Sequence, residues 1–506
     1  MNTKITTLAE IKEFSNQQKK KNKIIVLAHG TYDLMHIGHV KHLKFAKNYG
    51  DVLIVTITAD QFVSKGPGRP FFNQGNRSEM LASLEFVDKV CIIDSRSGIP
   101  AINSIRPDFY IKGIEYKNKK NDLTKKISYE EKALKKFGGK IIYSKEETFS
   151  SSNLLNNFFN QRSEDTRKKI NSLKNKNIVD KILKYQKKIE NLKVCLIGDS
   201  IKDIYKFVSP LGKSPKENLI SNLFLDKKEF NGGVLAAANN LSSFCNKIDV
   251  ITHAYNTNIE KKLILKFLSK SVKIKNFKKN NCSITEKTRY IEKGFNRKLF
   301  SVYSMNDYPL DGKYEKKLLS FLKKNLRKYD LVIVTDFGHG FITGAVIKLL
   351  EKYSNFLSVN AQSNSSNYGF NLITKYKKAD YISIDLPEAR LAAKNRFGTI
   401  EDLLFKDILK KTKVKNFSLT LGRDGCVVTD GKKIYKLGSL SNVIVDTMGA
   451  GDVFFVITSI FAFFKFDISE LALIGNCAGG LKVNILGHQK SILKEDLLTM
   501  IKTSTL

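Results

Sequence analysis

The sequence predicts an α/β protein with two modules, each a parallel sheet covered by helices. Short apolar runs alternate with helical patterns in two separate stretches, and 506 residues suffice for about three or four domain-sized units. The stretch between them is rich in Lys and Asn and lacks Pro and Gly, which predicts a helical connector with a charged, solvated face. The predicted domains are therefore residues 1–158, 159–192 and 193–506.

Runs of apolar and β-branched residues mark the strands of each module. In the first module the predicted strands are 24–28, 52–57, 90–93, 109–111 and 141–143. In the second they are 194–197, 331–335, 356–359, 381–384, 417–421 and a strand-like 441–445. The apolar run Val453–Phe464 predicts a buried helix, since it is too short to span a bilayer.

The formal charge of +37 raises the alternative of a basic nucleic-acid-binding protein. Lysines are spread along the whole chain, and no nucleic-acid recognition motif accompanies them. We therefore expect no nucleic-acid partner, although a basic surface would attract anionic sugar phosphates and nucleotides.

The cysteines and the N-terminus indicate the cellular compartment. The six cysteines are widely spaced and form no C-x-x-C pair, which predicts reduced thiols. The N-terminus lacks the charged and then apolar pattern of a signal peptide. We expect a soluble, cytoplasmic protein without a membrane partner.

A histidine motif follows the first strand of the N-terminal module. His36 and His39 are three residues apart, so they share a face of the first helical turn, and Gly38 lets a phosphate approach the backbone. Imidazoles placed in this way can donate hydrogen bonds to an α-phosphate as negative charge builds on it. The pattern predicts nucleotidyl transfer.

The string from Gly30 to His39 resembles the G-T-F-D-x-x-H-x-G-H motif of cytidylyltransferase-like nucleotidyltransferases, with Tyr32 where Phe is usual. The resemblance extends over Val26–Asn153 and implies a Rossmann-like HxGH domain with His36 and His39 as catalytic residues. It implies substrate binding by Arg77 and nucleotide binding by Gly30, Thr31, Tyr32, Lys65, Arg69, Lys112, Gly113, Ser151 and Ser152.

The most informative string, Asp446–Asp452, lies near the other end of the chain. Its small residues let backbone N–H groups approach an anion, and Asp452 can take a proton from a substrate hydroxyl. The helix that follows directs its positive N-terminal end at the same anion. This D-T-x-G-A-G-D string resembles the signature of ribokinase (PfkB) family sugar kinases, which implies a ribokinase-like α/β domain.

That resemblance implies a role for each matched position in the second module. Asp452 would be the base, Gly449, Ala450 and Gly451 the anion hole, and Glu388 an indirect Mg²⁺ ligand that also serves ATP. Further ATP contacts are expected from Thr420, Gly422 and Gly425. Sugar contacts are expected from Asp199, Asp203, Gly232, Gly233, Arg289 and Asp336.

Three departures fall on the expected sugar side of the kinase. Ala236 stands where an Asn is usual, Ser304 stands where an acidic contact is common, and Asn360-Ala361-Gln362 replaces D-P-K. An altered acceptor, with poor use of heptose 7-phosphate, is therefore expected.

The two resemblances together are closest to bifunctional heptose kinase/adenylyltransferases, with the order of domains reversed. They imply a cytoplasmic transferase of carbohydrate metabolism that uses Mg²⁺ and ATP, makes a nucleotide-activated, ADP-heptose-like sugar for surface polysaccharide and forms a homo-oligomer. The enzyme alternative is a CDP-alcohol cytidylyltransferase, such as one using glycerol 3-phosphate, fused to a kinase of another substrate. The choice of ATP or CTP, the sugar and its anomer stay open.

Overall fold

The described residues of the computed structural model are 3–63, 66, 68–117, 126–144, 163–279, 282–441 and 443–505. The chain divides into two compact units, one of residues 1–161 with 498–506 and one of residues 162–497. Both units contain parallel sheets with helices, which confirms the predicted α/β class with two modules.

The first unit contains a six-stranded parallel sheet in the order β1-β4-β3-β2-β5-β6. Its strands are β1 Ile5–Thr6, β2 Ile25–Gly30, β3 Val52–Thr58, β4 Lys89–Ile93, β5 Phe109–Gly113 and β6 Lys140–Ser144. Its helices are α1 Leu8–Lys20, α2 Ile37–Lys47, α3 Gln74–Ala82, α4 Ile99–Ile105 and α5 Lys126–Lys135. Alternate β2 residues serve two cores, with Leu27 in one and Val26 in the other. The strand order reverses at β2, and ligands of open α/β sheets bind at such a reversal.

The second unit contains a nine-stranded sheet and a four-stranded sheet. The large sheet, in spatial order, is β11 Val272–Asn276, β10 Lys247–Thr252, β7 Lys193–Gly198, β14 Leu331–Asp336, β15 Leu357–Ala361, β16 Lys378–Asp385, β17 Lys413–Thr420, β18 Cys426–Thr429 and β19 Ile434–Leu437. Only the pairs made by β18 are antiparallel. The small sheet consists of β13 Arg297–Ser304, β12 Thr285–Glu292, β8 Ser200–Lys213 and β9 Ile220–Gly233.

Helices surround the large sheet in the usual manner of α/β proteins. They are α6 Glu164–Lys174, α7 Ile178–Asn191, α8 Val234–Leu241, α9 Asn258–Lys266, α10 Gly312–Asn325, α11 Gly344–Tyr353, α12 Leu386–Ala393, α13 Ala450–Phe463 and α14 Ile468–Lys482. A last helix, α15 Lys494–Ser504, begins in residues of the second unit and ends in residues of the first. The predicted buried helix is α13, whose residues from Val453 to Ala462 are all buried. Within the described ranges, no helix has the length and apolar character needed to cross a membrane.

Two expectations about local structure change. The stretch predicted as a strand, 441–445, forms no strand in its described residues, and its last backbone N–H instead donates to the carbonyl of Val483. The predicted connector is helical as α6 and α7, and both helices belong to the second unit. They bury Ile170 and Ile182, and Lys181 bonds to the carboxylate of Glu470 at 2.6 Å. The boundaries at 158 and 192 stay predictions.

Close packing of β7 against β14 makes Gly198 sensitive to substitution. A Cβ at Gly198 would lie 2.1 Å from the carbonyl oxygen of Thr335. We expect Gly198→Ala to destabilise the second unit by about 1–3 kcal/mol, because backbone on two strands must move apart. Urea unfolding followed by circular dichroism measures this change.

Gly344→Ala is the matched control, since a Cβ at this first residue of α11 meets nothing within 4 Å. Its unfolding transition should be unchanged or slightly stabilised, because Ala loses less conformational freedom on folding. Equal effects of the two substitutions would contradict the packing described for β7 and β14.

Candidate active sites

The histidine pair of the first unit lies where β2 passes into α2. His36 is the N-cap of α2, and its Nδ1 accepts a hydrogen bond from the backbone N–H of Gly38 at 3.1 Å. The backbone N–H of His36 donates to Nδ1 of His39 at 3.3 Å. The ring centroids of the two histidines are 4.0 Å apart. The structure therefore brings the two predicted catalytic side chains together at the positive end of a helix.

The other predicted nucleotide contacts from this loop are backbone or core groups. Tyr32 has a left-handed φ of 51° and is 6% exposed, and its ring packs edge-on against His39. A Cβ at Gly30 would lie 3.1 Å from the Tyr32 ring. Burial raises the pKa of the Tyr32 phenol well above its usual range. Tyr32 thus supports the histidine face from the core.

Arg77 is placed differently from its predicted substrate contact. Its side chain is completely buried, and its guanidinium donates to the carbonyl oxygens of Thr31, Thr58 and Phe72 and to the carboxylate of Asp60. These bonds join the loop after β2 to the loop after β3. These bonds and the burial support a role in positioning the loops, and the direct substrate contact stays a prediction.

Two further basic residues predicted for this site, Lys112 and Arg69, are paired within the protein. Lys112, at the end of β5 before Gly113, lies 3.2 Å from the carboxylate of Glu130. Arg69 lies 3.8 Å from the buried carboxylate of Asp33. Lys65, Ser151 and Ser152 lie outside the described residues.

Eight of the predicted kinase residues of the second unit line one cleft of about 250 Å³. Gly449 precedes α13 with a left-handed φ of 72°, and Asp452 is in the first turn of this helix. Of the predicted residues, the cleft is lined by Asp203, Gly233, Arg289, Glu388, Thr420, Gly449, Gly451 and Asp452. The predicted anion hole, base, ATP side and sugar side therefore meet in one place.

Asp452 is bound by a side chain that the sequence motifs did not single out as a contact. Nε2 of Gln362, just after β15, donates to Oδ1 of Asp452. Burial raises the pKa of Asp452, while the charge of His488 and the hydrogen bond from Gln362 act to lower it. One carboxylate oxygen of the proposed base is thus held by an amide, and the other can accept a proton.

His488 is the second residue that motif analysis missed. Its Nε2 lies 3.5 Å from Oδ2 of Asp203, and a Cβ at Gly449 would lie 2.7 Å from its Cε1. Arg289 forms a salt bridge with the other oxygen of Asp203. Burial alone would raise the pKa of Asp203, but His488 and Arg289 lower it to about 2. The sequence signal that could have indicated His488 was its position next to Gly487, shortly after the buried helix α14.

Glu388 forms the acidic edge of the ATP side with Asp385. Its Oε1 accepts from the backbone N–H of Ser363 and its Oε2 from that of Asp385, both at 3.0 Å. Burial, followed by the nearby Asp385 carboxylate, raises the pKa of Glu388 to about 8.

Two predicted sugar contacts are used inside the protein instead. Asp199 accepts hydrogen bonds from the backbone N–H groups of Phe337, His339 and Phe341. Asp336 is fully buried and accepts from the hydroxyl of Tyr376 at 2.6 Å, with further bonds from nearby residues. Neither carboxylate lines the cleft. Both hold the loop after β14, and their role as sugar contacts stays a prediction.

Some of the predicted glycine contacts and sequence departures line the cleft, whereas others lie outside it. Gly422 and Gly425 have positive φ values of 60° and 91° and form the turn before β18, outside the cleft lining. Gly232 packs against Asp203, since a Cβ there would lie 2.4 Å from Oδ2. Of the three departures, Asn360 lines the cleft with its neighbour Gln362, whereas Ala236 and Ser304 do not.

Family models match both parts of the chain. Residues 27–157 match the Cytidylyltransferase-like family, and residues 302–492 match the pfkB family carbohydrate kinase. Both families are transferases, as the sequence predicts.

Curated relatives match the N-terminal part of the chain. The protein named Bifunctional protein HldE of Aliarcobacter butzleri is 41% identical over 120 residues, which is 23% of this chain and 25% of the relative. The Nitratiruptor sp. protein of the same name is 40% identical over 128 residues, 24% of this chain and 28% of the relative. The chain thus spans about a quarter of the length of these relatives.

Solved structures match the larger unit in fold. Escherichia coli phosphofructokinase-2 in complex with potassium covers 62% of this chain and 100% of its own, with a TM-score of 0.51 and 11% identity. The tetrameric inhibited form of that enzyme has a TM-score of 0.50, with the same identity and coverage. The chain therefore contains a cytidylyltransferase-like domain and, C-terminal to it, a carbohydrate kinase domain of the pfkB family.

Proposed function

We propose that this chain is a bifunctional sugar-activating enzyme. Its kinase would phosphorylate a sugar or sugar phosphate with MgATP, and its transferase would join a sugar 1-phosphate to a nucleoside triphosphate. The product would be a nucleotide-activated sugar, ADP-heptose-like, for surface polysaccharide. The observation that carries the proposal is the cleft in which Asp452, the Gly449 turn and Glu388 meet. The relatives named Bifunctional protein HldE support the combination of activities.

The kinase step follows from the position of Asp452. Its free carboxylate oxygen accepts the proton of the acceptor hydroxyl, and the hydroxyl oxygen attacks the γ-phosphorus of ATP. The bond to the β-phosphate oxygen breaks, and ADP leaves. Backbone N–H groups at the N-terminus of α13, after Gly449, stabilise the charge on the transferred phosphoryl group.

The ATP side of the cleft suits a hard cation such as Mg²⁺. The buried Oδ1 of Asn360 and Oγ of Ser363 have no hydrogen-bond partner among the described residues, and both residues line the cleft beside Glu388. Oxygen donors of this kind fit Mg²⁺, which keeps several waters and binds substrate phosphates. Glu388 would hold the ion indirectly, and the ion would neutralise phosphate charge. No three His, Cys, Asp or Glu side chains of the described chain converge as an all-protein metal site.

The transferase step follows from the histidine pair at α2. A phosphate oxygen of the sugar 1-phosphate attacks the α-phosphorus of the nucleoside triphosphate, and pyrophosphate leaves. His36 and His39 donate hydrogen bonds to the α-phosphate oxygens as charge builds there. Arg77 keeps the loops around the pair in place through its buried hydrogen bonds.

A CDP-alcohol cytidylyltransferase is the second candidate for the first domain, because the matching family model is described as cytidylyltransferase-like. A screen separates the candidates. ATP, CTP, GTP and UTP are each combined with a panel of sugar 1-phosphates and glycerol 3-phosphate, and pyrophosphate release is measured. We expect ATP with a sugar 1-phosphate to be the active pair. Activity confined to CTP with an alcohol phosphate would establish the alternative.

The two reactions should fail independently, since each domain has its own phosphate site. We expect His39→Ala to lower pyrophosphate release by about 10²–10³, the usual effect of losing one transition-state donor, and to spare ATP consumption by the kinase. Asp452→Asn should do the reverse. Rates of both reactions are measured for each purified variant. Loss of both reactions in either folded variant would contradict the two-site proposal.

The hydrogen bond from Gln362 should set the pH dependence of the kinase. Burial raises the pKa of Asp452, so on acidification kcat should begin to fall at a pH above the pKa of an ordinary aspartate. Because Gln362 stabilises the carboxylate, Gln362→Leu should raise the pKa further and move this acid limb to higher pH. The measurement is kcat against pH for both proteins with the best acceptor of a sugar panel. An unmoved limb would show that the contact does not govern the base.

The same panel tests the acceptor of the kinase. Poor use of heptose 7-phosphate is still expected, and its support now rests on Asn360 and Gln362, which line the cleft. We expect another sugar or sugar phosphate to give the higher kcat/KM. Efficient turnover of heptose 7-phosphate would make it the better assignment.

A further inference from the structure

The completely buried Lys482 is used neither by the motifs nor by the mechanism above. It ends α14, and none of its side chain is exposed. Lysine is almost never buried in this way without compensation, because its ammonium group loses its hydration. Nζ of Lys482 donates to the carbonyl oxygen of Gly487 at 2.6 Å and to that of Ile485 at 3.4 Å. The loop after α14, residues 483–488, therefore binds the ammonium group of Lys482 through its carbonyl oxygens, and we call it the lysine-binding loop.

The lysine-binding loop adjoins the turn that begins α13. A Cβ at Gly449 would lie 3.4 Å from Cε of Lys482, so the lysine stem packs against the turn. The N–H of Gly487 donates to Oδ2 of Asp446 at 2.8 Å, and Oδ1 of Asp446 accepts from the N–H of Met448 at 3.1 Å. The carboxylate of Asp446 thus joins the lysine-binding loop to the turn.

The charge of Lys482 is not cancelled by a direct partner. Within the described residues, its ammonium has no carboxylate in salt-bridge contact, whereas Lys298 lies 2.6 Å from Asp446. The charged groups that act on it lie on four neighbouring segments and are Asp446, Asp452, Lys298 and Asp203. Burial, only partly opposed by Asp446 and Asp452, lowers the pKa of Lys482 to about 8. The group is a cation at neutral pH and becomes neutral in mildly alkaline solution.

We propose that Lys482 is a built-in cation of the phosphoryl-transfer site. Lys482 positions the Gly449 turn, and from the side of the turn that faces away from the cleft it attracts the terminal phosphoryl group of ATP. Lys482 is a positioning residue, since a backbone turn lies between it and the cleft. A nucleotide with a γ-phosphate places more negative charge at the turn than ADP does, so the lysine should favour the triphosphate selectively. The inference rests on the proposed kinase function.

The test compares two nucleotides and needs no acceptor. Titration calorimetry with Mg²⁺ gives the Kd of ADP and of the non-hydrolysable analogue AMP-PNP for the full chain. We expect Lys482→Met, which keeps the length and removes the charge, to reduce the preference for AMP-PNP over ADP by about tenfold, as for one unit charge removed from a partly buried site. Lys482→Arg should keep most of the preference. Binding at the transferase site is common to all three proteins and cancels in the comparison.

A pH series separates charge from loop structure. Between pH 7 and 9.5 the wild-type preference for AMP-PNP should decline as Lys482 loses its charge, whereas the preference of Lys482→Met should stay level. If the lysine had only a structural role, the two curves would be parallel. If Lys482→Met does not fold, the decline in the wild type relative to Lys482→Arg, whose guanidinium stays charged, decides the question.

Three results would overturn the inference. A folded Lys482→Met with the wild-type preference would exclude an electrostatic role. Parallel pH curves for the wild type and Lys482→Arg would do the same. A wild-type chain that binds nucleotide at the transferase site alone would refute the proposed kinase function itself, and calorimetric stoichiometry identifies that case.

Discussion

The left-handed turn at Gly449 is the constraint on which the kinase cleft depends. Its φ of 72° lets the chain turn into α13 with Asp452 in the first helical turn. Any side chain at this position would collide with the ring of His488, which lies beside Asp203. One glycine thus brings together a helix N-terminus, a buried carboxylate and a histidine from another segment.

Both domains use the same physical means for different reactions. Each presents the N-terminus of a helix, α2 or α13, beside the side chains of its proposed site, where an anion would be stabilised. In the first domain the polar partners are the imidazoles of His36 and His39, which suit charge on an α-phosphate. In the second the partner is the carboxylate of Asp452, which suits removal of a hydroxyl proton. The nature of these side chains, more than the fold, separates nucleotidyl from phosphoryl transfer.

The sequence was sufficient for β2–β6, β7 and β14–β17, for the two modules and for the position of both motifs, because apolar periodicity and short glycine-rich strings are local signals. It did not predict the four-stranded sheet. It was insufficient for charged residues whose partners are distant in the chain. The sequence motifs predict Arg77, Asp199 and Asp336 as ligand contacts, but they do not reveal the hydrogen bonds that these side chains form with distant parts of the chain. Gln362 and His488 line the cleft, and Lys482 packs behind the Gly449 turn. Tertiary packing places all three, so no spacing rule indicated their contacts.

The central claim is that one chain transfers two different phosphorus groups of a nucleoside triphosphate. Isotope tracing tests it most directly: the full chain is incubated with acceptors and ATP labelled at either the α- or the γ-phosphorus, and products are separated by chromatography. The account predicts that the γ-label moves to a sugar and that the α-label moves to a sugar phosphate with release of unlabelled pyrophosphate. Transfer of one label alone across the acceptor panel would contradict it.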